Sequence, residues 1–414
     1  MPHETTLIAT VAAGLGLAFV FGYVAVRLRL PPLVGYLFAG IVVGPFTPGY
    51  VADVPLAAQL AEMGVILLMF GVGLHFSPRD LQAVRRVATL GASAQIAVAT
   101  TLTAVAMHLR GWSWSAGIVL GLSLSVASTV VLLRALEGRG TISSHDRRVA
   151  IGWLIVEDLV TVFILVLLPA LAPAGAKADA GFFAASGPLW SVGVAVLKAA
   201  IFLALMLFAG RRTIPWLLGS VERTGSRELF TLSVIALALG IAVGAALVFG
   251  VSFALGAFFA GVIIGESDQS HRAAANALPL QDAFAVLFFV SVGMLFDPRV
   301  LLQRPLDVLI VTSVIIVGKT FAAFAIVRAL GHPRSTALTV AAGLSQIGEL
   351  SFILAGLGVT LGLLPPEGRN LVLAGALITI TLNPAMFALA SRFVGQPEER
   401  ALAPVMDGAT TLRP

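Results

Sequence analysis

VAIGWLIVEDLVTVFILVLL (149–168) is a run of apolar side chains interrupted near its middle by two adjacent carboxylates, Glu157 and Asp158. A helix needs about 20 apolar residues to cross the hydrocarbon core of a bilayer, and this run has that length. A charge at mid-depth costs about 2.5–3.5 kcal/mol on insertion scales, so two of them together require a reason. Neighbouring residues on a helix point roughly 100° apart, so the pair cannot share one face. One carboxylate can face a cavity while the other pairs with an adjacent helix. Lipid disfavours a bare carboxylate, and either a proton or a bound cation relieves it. Asp158 can therefore take one or the other but not both, which is the physical core of exchange. The alternative is a structural ion pair between helices.

The rest of the chain reads in the same way. Of its 414 residues, 58% are hydrophobic and only 11% charged, with a mean hydropathy of +0.99. Soluble domains carry about 25% charged residues. Apolar runs fall at 6–26, 32–47, 56–75, 87–108, 114–136, 148–171, 189–209, 228–248, 250–266, 280–297, 306–330, 335–361 and 369–393. These predict an all-α polytopic membrane protein of about thirteen spans, with the second, ninth and tenth short. The first run lacks a basic leader segment and reads as a retained span rather than a signal peptide. The expected organisation is a transmembrane domain over 1–395 and a cytoplasmic polar tail over 396–414. Halves 1–171 and 228–393 are joined by a connector span, 189–209, and a polar linker or interfacial helix, 211–227.

Basic residues set the orientation. With the N-terminus outside, Arg110, Lys177, Arg299, Arg304 and Arg369 fall outside, and Lys198 and Lys319 lie within spans. The remaining 19 of the 26 basic residues fall inside. This asymmetry predicts an outside N-terminus, an inside C-terminus and an odd number of spans. It also accounts for the net charge of +5 without a nucleic-acid partner.

Thirteen spans allow six plus a connector plus six, the plan of inverted-repeat transporters. The fifth span carries Ser123, Ser125, Ser128 and Thr129; the corresponding span of the second half carries SQIGELSF (345–352). Two polar, glycine-interrupted spans in matching positions predict broken helices around a binding site. Ser125, Ser128 and Thr129 either supply oxygen ligands or bond back to their own helices. Glu349 follows Gly348 and is placed to neutralise a half-helix end, or else only to stabilise its helix. Lys319, in IIVGKTF (315–321), is a buried amine able to lose its proton. It is either a partner and second proton site for Glu157 or a fixed structural salt bridge.

Other chemistries lack their residues. There is no cysteine, and the six histidines form no HExxH motif, so thiolate centres and a buried zinc are not expected. The glycines of GLGVTLG (356–362) follow no strand, and no cofactor is predicted. An intramembrane aspartyl protease needs two aspartates on separate helices, whereas mid-span aspartate is essentially Asp158 alone. A gated cation channel is the main alternative to exchange, but no TVGYG-like filter is present.

PLVGYLFAGIVVGP (32–45), EMGVILLMFGVGL (62–74), GAFFAGVIIGES (256–267) and LFFVSVGM (287–294), in this order and spacing, resemble the Kef-type family of bacterial monovalent cation:proton antiporters over nearly the whole chain. The resemblance implies a sodium/proton antiporter-like fold of two bundles, one dimerising and one carrying two broken helices that cross at the ion site. It implies Asp158 as the ion-binding aspartate, Lys319 as its buried lysine partner, and breaks at Ser125–Thr129 and Gln346–Glu349. It further implies exchange of K+ or Na+ for H+ by elevator-like alternating access, in a homodimer of the bacterial cytoplasmic (inner) membrane. Kef-type potassium systems usually have Gln-Asp where this chain has Glu157–Asp158, and electrogenic sodium/proton relatives have Asp-Asp. The glutamate keeps a charge in the first position and leans towards electrogenic exchange. Full-length Kef-type proteins also carry a soluble nucleotide-binding regulatory domain; this sequence ends at Pro414 after a short polar tail.

Overall fold

The computed structural model describes residues 6–48, 52–74, 76, 78–137, 144–171 and 188–393. The tail 396–414 and the loop residues Arg139 and Lys177 lie outside the described residues. Every regular element among the described residues is helical. In lipid this follows from the backbone, since a helix satisfies its own polar groups.

One bundle is built from α1 (Thr6–Arg27), α2 (Pro32–Val43) and α3 (Val54–Leu74). The other begins with α4 (Pro78–Leu109), α5 (Trp114–Ser125), α6 (Thr129–Glu137) and α7 (Ser144–Leu167). Next come α8 (Pro188–Leu205), a π turn (Met206–Gly210) and α9 (Arg211–Glu222). Of the two readings of 211–227, linker or interfacial helix, the structure gives largely helix, running on from the connector span. Its apolar side buries Ile214 and Leu218, while Arg211 and Arg212 are exposed.

The second half gives α10 (Arg227–Phe249), α11 (Phe253–Gly265) and α12 (Ser270–Met294), which pack on α1–α3. It then gives α13 (Val300–Gln303), α14 (Pro305–Ser313), a π turn (Val314–Lys319), α15 (Thr320–Ala329), α16 (Arg334–Leu344), α17 (Glu349–Thr360) and α18 (Pro366–Phe393). Apart from the short α13, these pack with α4–α7. Each bundle thus draws its helices from both halves of the chain, so the division at the connector is not a division in space.

Glycines of the second and ninth runs explain how the first bundle closes. A Cβ on Gly40 would strike the Val290 backbone of α12, and one on Gly261 would strike the Phe70 backbone of α3. Backbones in direct contact are what small residues permit between membrane helices. The outer faces are apolar and uncovered: Phe19 is 74% exposed on α1 and Leu247 79% exposed on α10.

Nine helices among the described residues are long and apolar enough to cross a membrane, or ten if α16 and α17, bent by 46°, form one span. The expected thirteen is not reached by that measure. α2 and α11, of 12 and 13 residues, are only about 18–20 Å long, against a core of about 30 Å. The tenth run, expected to be short, belongs instead to a 25-residue helix, α12. Hydropathy misses its first turns because Ser270, His271, Arg272, Asn276 and Gln281 interrupt them.

Candidate functional site at the crossing of two broken helices

Helix α5 stops at Ser125, and α6 restarts at Thr129 after three non-helical residues. Helix α16 stops at Leu344, and α17 restarts at Glu349. A helix end leaves backbone donors and acceptors without intrahelical partners, and at membrane depth other groups of the protein can take them. The two breaks satisfy each other. Gly348 N–H donates to the Val126 carbonyl at 3.1 Å, and Ser128 N–H donates to Gln346 Oε1 at 3.1 Å. Gln346 Nε2 returns a bond to the Ser128 carbonyl at 3.1 Å. Ser351 Oγ also reaches the Val126 carbonyl, at 3.3 Å. Glycine is needed at 348 because a Cβ there would lie 2.8 Å from Ser128 Cα and 2.9 Å from the Ala127 carbonyl.

Three carboxylates surround this crossing. Glu157 is fully buried and accepts the Ala127 N–H at 2.9 Å and the Trp153 indole N–H at 3.2 Å. Asp158 accepts from Thr129 Oγ1 at 3.2 Å and keeps 8% exposure. Glu349 begins α17 and accepts from Ser128 Oγ at 3.2 Å. The adjacent pair does diverge around α7, yet both members address the same broken helix, two residues apart at Ala127 and Thr129.

The other expected residues fall as follows. Ser125 Oγ bonds back to the Leu122 carbonyl at 2.7 Å, which is the intrahelical alternative, whereas Ser128 and Thr129 turn their hydroxyls to carboxylates. Lys319 is completely buried at the end of a π turn, a feature common at functional sites. Its ammonium donates to the Gln346 carbonyl at 3.0 Å. It makes no ion pair with Glu157 within 4 Å among the described ion pairs, though the two charges are near enough to interact. Removing this charged donor by Lys319→Met should destabilise the protein by about 1.5–3 kcal/mol, while Lys319→Gln, which keeps an N–H, should lose less. Thermal unfolding of the purified protein in detergent measures both.

Sequence reasoning passed over four residues. Gln95 Nε2 on α4 donates to the Ser125 carbonyl at 3.2 Å. Asn383 Nδ2 on α18 donates to the Ala342 carbonyl at 2.9 Å and Ser345 Oγ at 3.1 Å. Trp153 sits one helical turn before Glu157. The available signal was the one used for the charges: an amide in an apolar span also needs a partner. Asp307, only 1% exposed, was likewise missed; it binds Arg110 at 2.8 Å and Arg304 at 3.3 Å, away from the crossing.

The arrangement offers carboxylate and hydroxyl oxygens from Asp158, Glu349, Ser128 and Thr129 beside the break between α5 and α6, paired as Thr129–Asp158 and Ser128–Glu349. Such oxygens suit a hard monovalent cation, and the carboxylates equally accept protons.

Comparison with known proteins gives this geometry its context. Over 398 residues the chain is 59% identical to YbaL of Escherichia coli K12, provisionally a cation/proton antiporter, covering 96% of this chain and 71% of that one. It is 31% identical over 381 residues to the glutathione-regulated potassium-efflux system protein KefC of Salmonella schwarzengrund, covering 91% of this chain and 59% of KefC. Among solved structures, the sodium proton antiporter MjNhaP1 of Methanocaldococcus jannaschii superposes with a TM-score of 0.66 at 15% identity. That match covers 95% of this chain and 99% of MjNhaP1, a likeness of fold. A family model described as sodium/hydrogen exchanger, transmembrane, matches residues 15–390. With nearly the whole transmembrane part inside that match, the chain belongs to the transmembrane sodium/hydrogen exchanger family.

Proposed function

We propose that the protein is a secondary active antiporter exchanging a monovalent cation, K+ or Na+, for H+. Cation and proton compete for Asp158, and Glu349, Ser128 and Thr129 complete the oxygen cluster. The observation that carries this reading is the meeting of three carboxylates with the mutually bonded breaks of two helices. Identity to YbaL and KefC supports cation:proton exchange as the activity. In this reading Glu157 and Lys319 hold the crossing, and Gln346 stitches its two segments. The bundle of α4–α7 and α14–α18 moves against the other to give alternating access. Where they meet, the contact includes the apolar Phe289–Phe352 edge, with centroids 6.4 Å apart. The placement of arginines supports an outside N-terminus and an inside C-terminus in the bacterial cytoplasmic membrane, and a homodimer completes the proposal.

The test is transport in proteoliposomes with a trapped pH dye. Adding K+ or Na+ outside is expected to move protons in the opposite direction, and comparing the two cations gives the selectivity. A cation current that scales with its own gradient and moves no protons would contradict exchange and favour a gated potassium channel.

A further inference from the structure

Four half-helix ends face the crossing. The N-terminal ends of α6 and α17 carry partial positive charge, and the C-terminal ends of α5 and α16 partial negative charge. Three of the four meet a side chain of opposite sign. Glu157 takes the Ala127 N–H just before α6, Glu349 lies in the first turn of α17, and the Lys319 ammonium holds the Gln346 carbonyl just past α16. The fourth, the carbonyl end of α5, is held at Ser125 by the neutral amide of Gln95.

Gln95 and Lys319 occupy matching places. Each comes from the helical run that precedes the broken helix in the chain, and each reaches forward by a similar interval, 30 and 27 residues, to a carbonyl at the break. Both side chains are fully buried. At these matching places the two halves differ in charge, a neutral amide in one and an ammonium in the other. Gln95 also keeps its Oε1 buried without a hydrogen-bond partner, an arrangement that costs stability and calls for a reason.

We propose that Gln95 is a positioning residue that fixes the α5 carbonyl end while leaving its negative potential uncancelled, so that the charge at position 95 sets the affinity for the transported cation. This rests on the cation site proposed above. The unpartnered Oε1 adds to the same negative pole. A cation arriving at Asp158 supplies to the α5 end the kind of positive charge that Lys319 brings to the α16 end.

The experiment is the cation concentration dependence of exchange by the full chain in proteoliposomes, for Gln95→Lys, Gln95→Glu and Gln95→Met. Lysine restores the N–H donor and adds a positive charge. It is expected to raise the KM for the cation about tenfold or more with little change in the maximal rate. Glutamate is expected to lower the KM below that of the native protein, and methionine, which removes the hydrogen bond and the Oε1 dipole but adds no charge, to raise it less than lysine does. A purely structural cap predicts the reverse order, with lysine rescuing what methionine loses, and that result would overturn the proposal. If Gln95→Lys is not monodisperse on purification, the direction of the Gln95→Glu shift decides alone. Asp158→Asn run in parallel separates the claims. Exchange that survives it sinks the site itself, whereas a silent Asp158→Asn beside unchanged KM values in both charged variants overturns only the role of Gln95.

Discussion

Asp158→Asn is expected to reduce cation-driven proton movement in proteoliposomes to background while leaving the protein folded. Asparagine matches aspartate in size and still offers an oxygen to Thr129 Oγ1, which lies 3.2 Å from the carboxylate. What it removes is the charge. Losing one side of a buried charge interaction costs about 2–5 kcal/mol, and each 1.4 kcal/mol is about a factor of ten in affinity. Cation binding should therefore weaken by about 30-fold at least. The loss of coupling is more complete than that, because an amide neither takes nor gives a proton at any relevant pH. Glu157 and Glu349 are poor substitutes. Glu157 is committed to Ala127 N–H and Trp153, and Glu349 lies in the first turn of α17, against the positive end of that helix. Proton movement that persists in Asp158→Asn, with normal folding, would mean that another group carries the exchanged ion.

The second large effect is expected from Gly348→Ala. The added Cβ would meet Ser128 Cα at 2.8 Å and Ala127 carbonyl atoms at 2.9 Å, all of them backbone. No flexible side chain is available to move aside, so the two broken segments must separate. Backbone conformation is not the obstacle, since Gly348 is extended, with φ −111° and ψ −175°. Separation stretches the Gly348–Val126 bond and the paired Ser128–Gln346 bonds together. Forcing a methyl into such a contact costs about 1–3 kcal/mol. A displacement of about 1 Å among reacting groups is worth about a hundredfold in rates where geometry matters. The exchange rate should fall ten- to a hundredfold, about as far as those two figures allow. Gly356→Ala is the control: it lies on the same α17, and a Cβ there meets nothing within 4 Å. Equal rates for the two alanine variants would show that the crossing does not depend on the close approach at Gly348.

Much of this was legible in the sequence, for a physical reason. Lipid demands long apolar helices, so hydropathy located the segments, and the same demand made Glu157, Asp158, Lys319 and Glu349 conspicuous. The breaks were legible because serines, glutamine and glycine interrupt two otherwise apolar spans. Hydropathy failed where polar residues interrupt the start of a helix, as in the first turns of α12.

The partners of the buried groups were the least legible part. Nothing local to Lys319 says that its ammonium will meet a backbone carbonyl 27 residues on rather than a carboxylate. The pairing depends on where α16 ends, and therefore on the crossing itself. Gln95 and Asn383 carry no charge to draw attention, and their value appears only once the carbonyls they hold are seen to be helix ends. The packing of the two halves into mixed bundles is a further long-range property, invisible to any window along the chain.

The central claim is that a proton and a cation compete for one carboxylate, and proton release on cation binding tests it without transport. Purified protein in weakly buffered detergent solution is titrated with K+ or Na+ while pH is recorded. At a pH where the free site is protonated, the account predicts release of about one proton per bound cation, as ligand deprotonation requires, and none from Asp158→Asn. Cation binding with no proton release under those conditions, or the same release from Asp158→Asn, would contradict it.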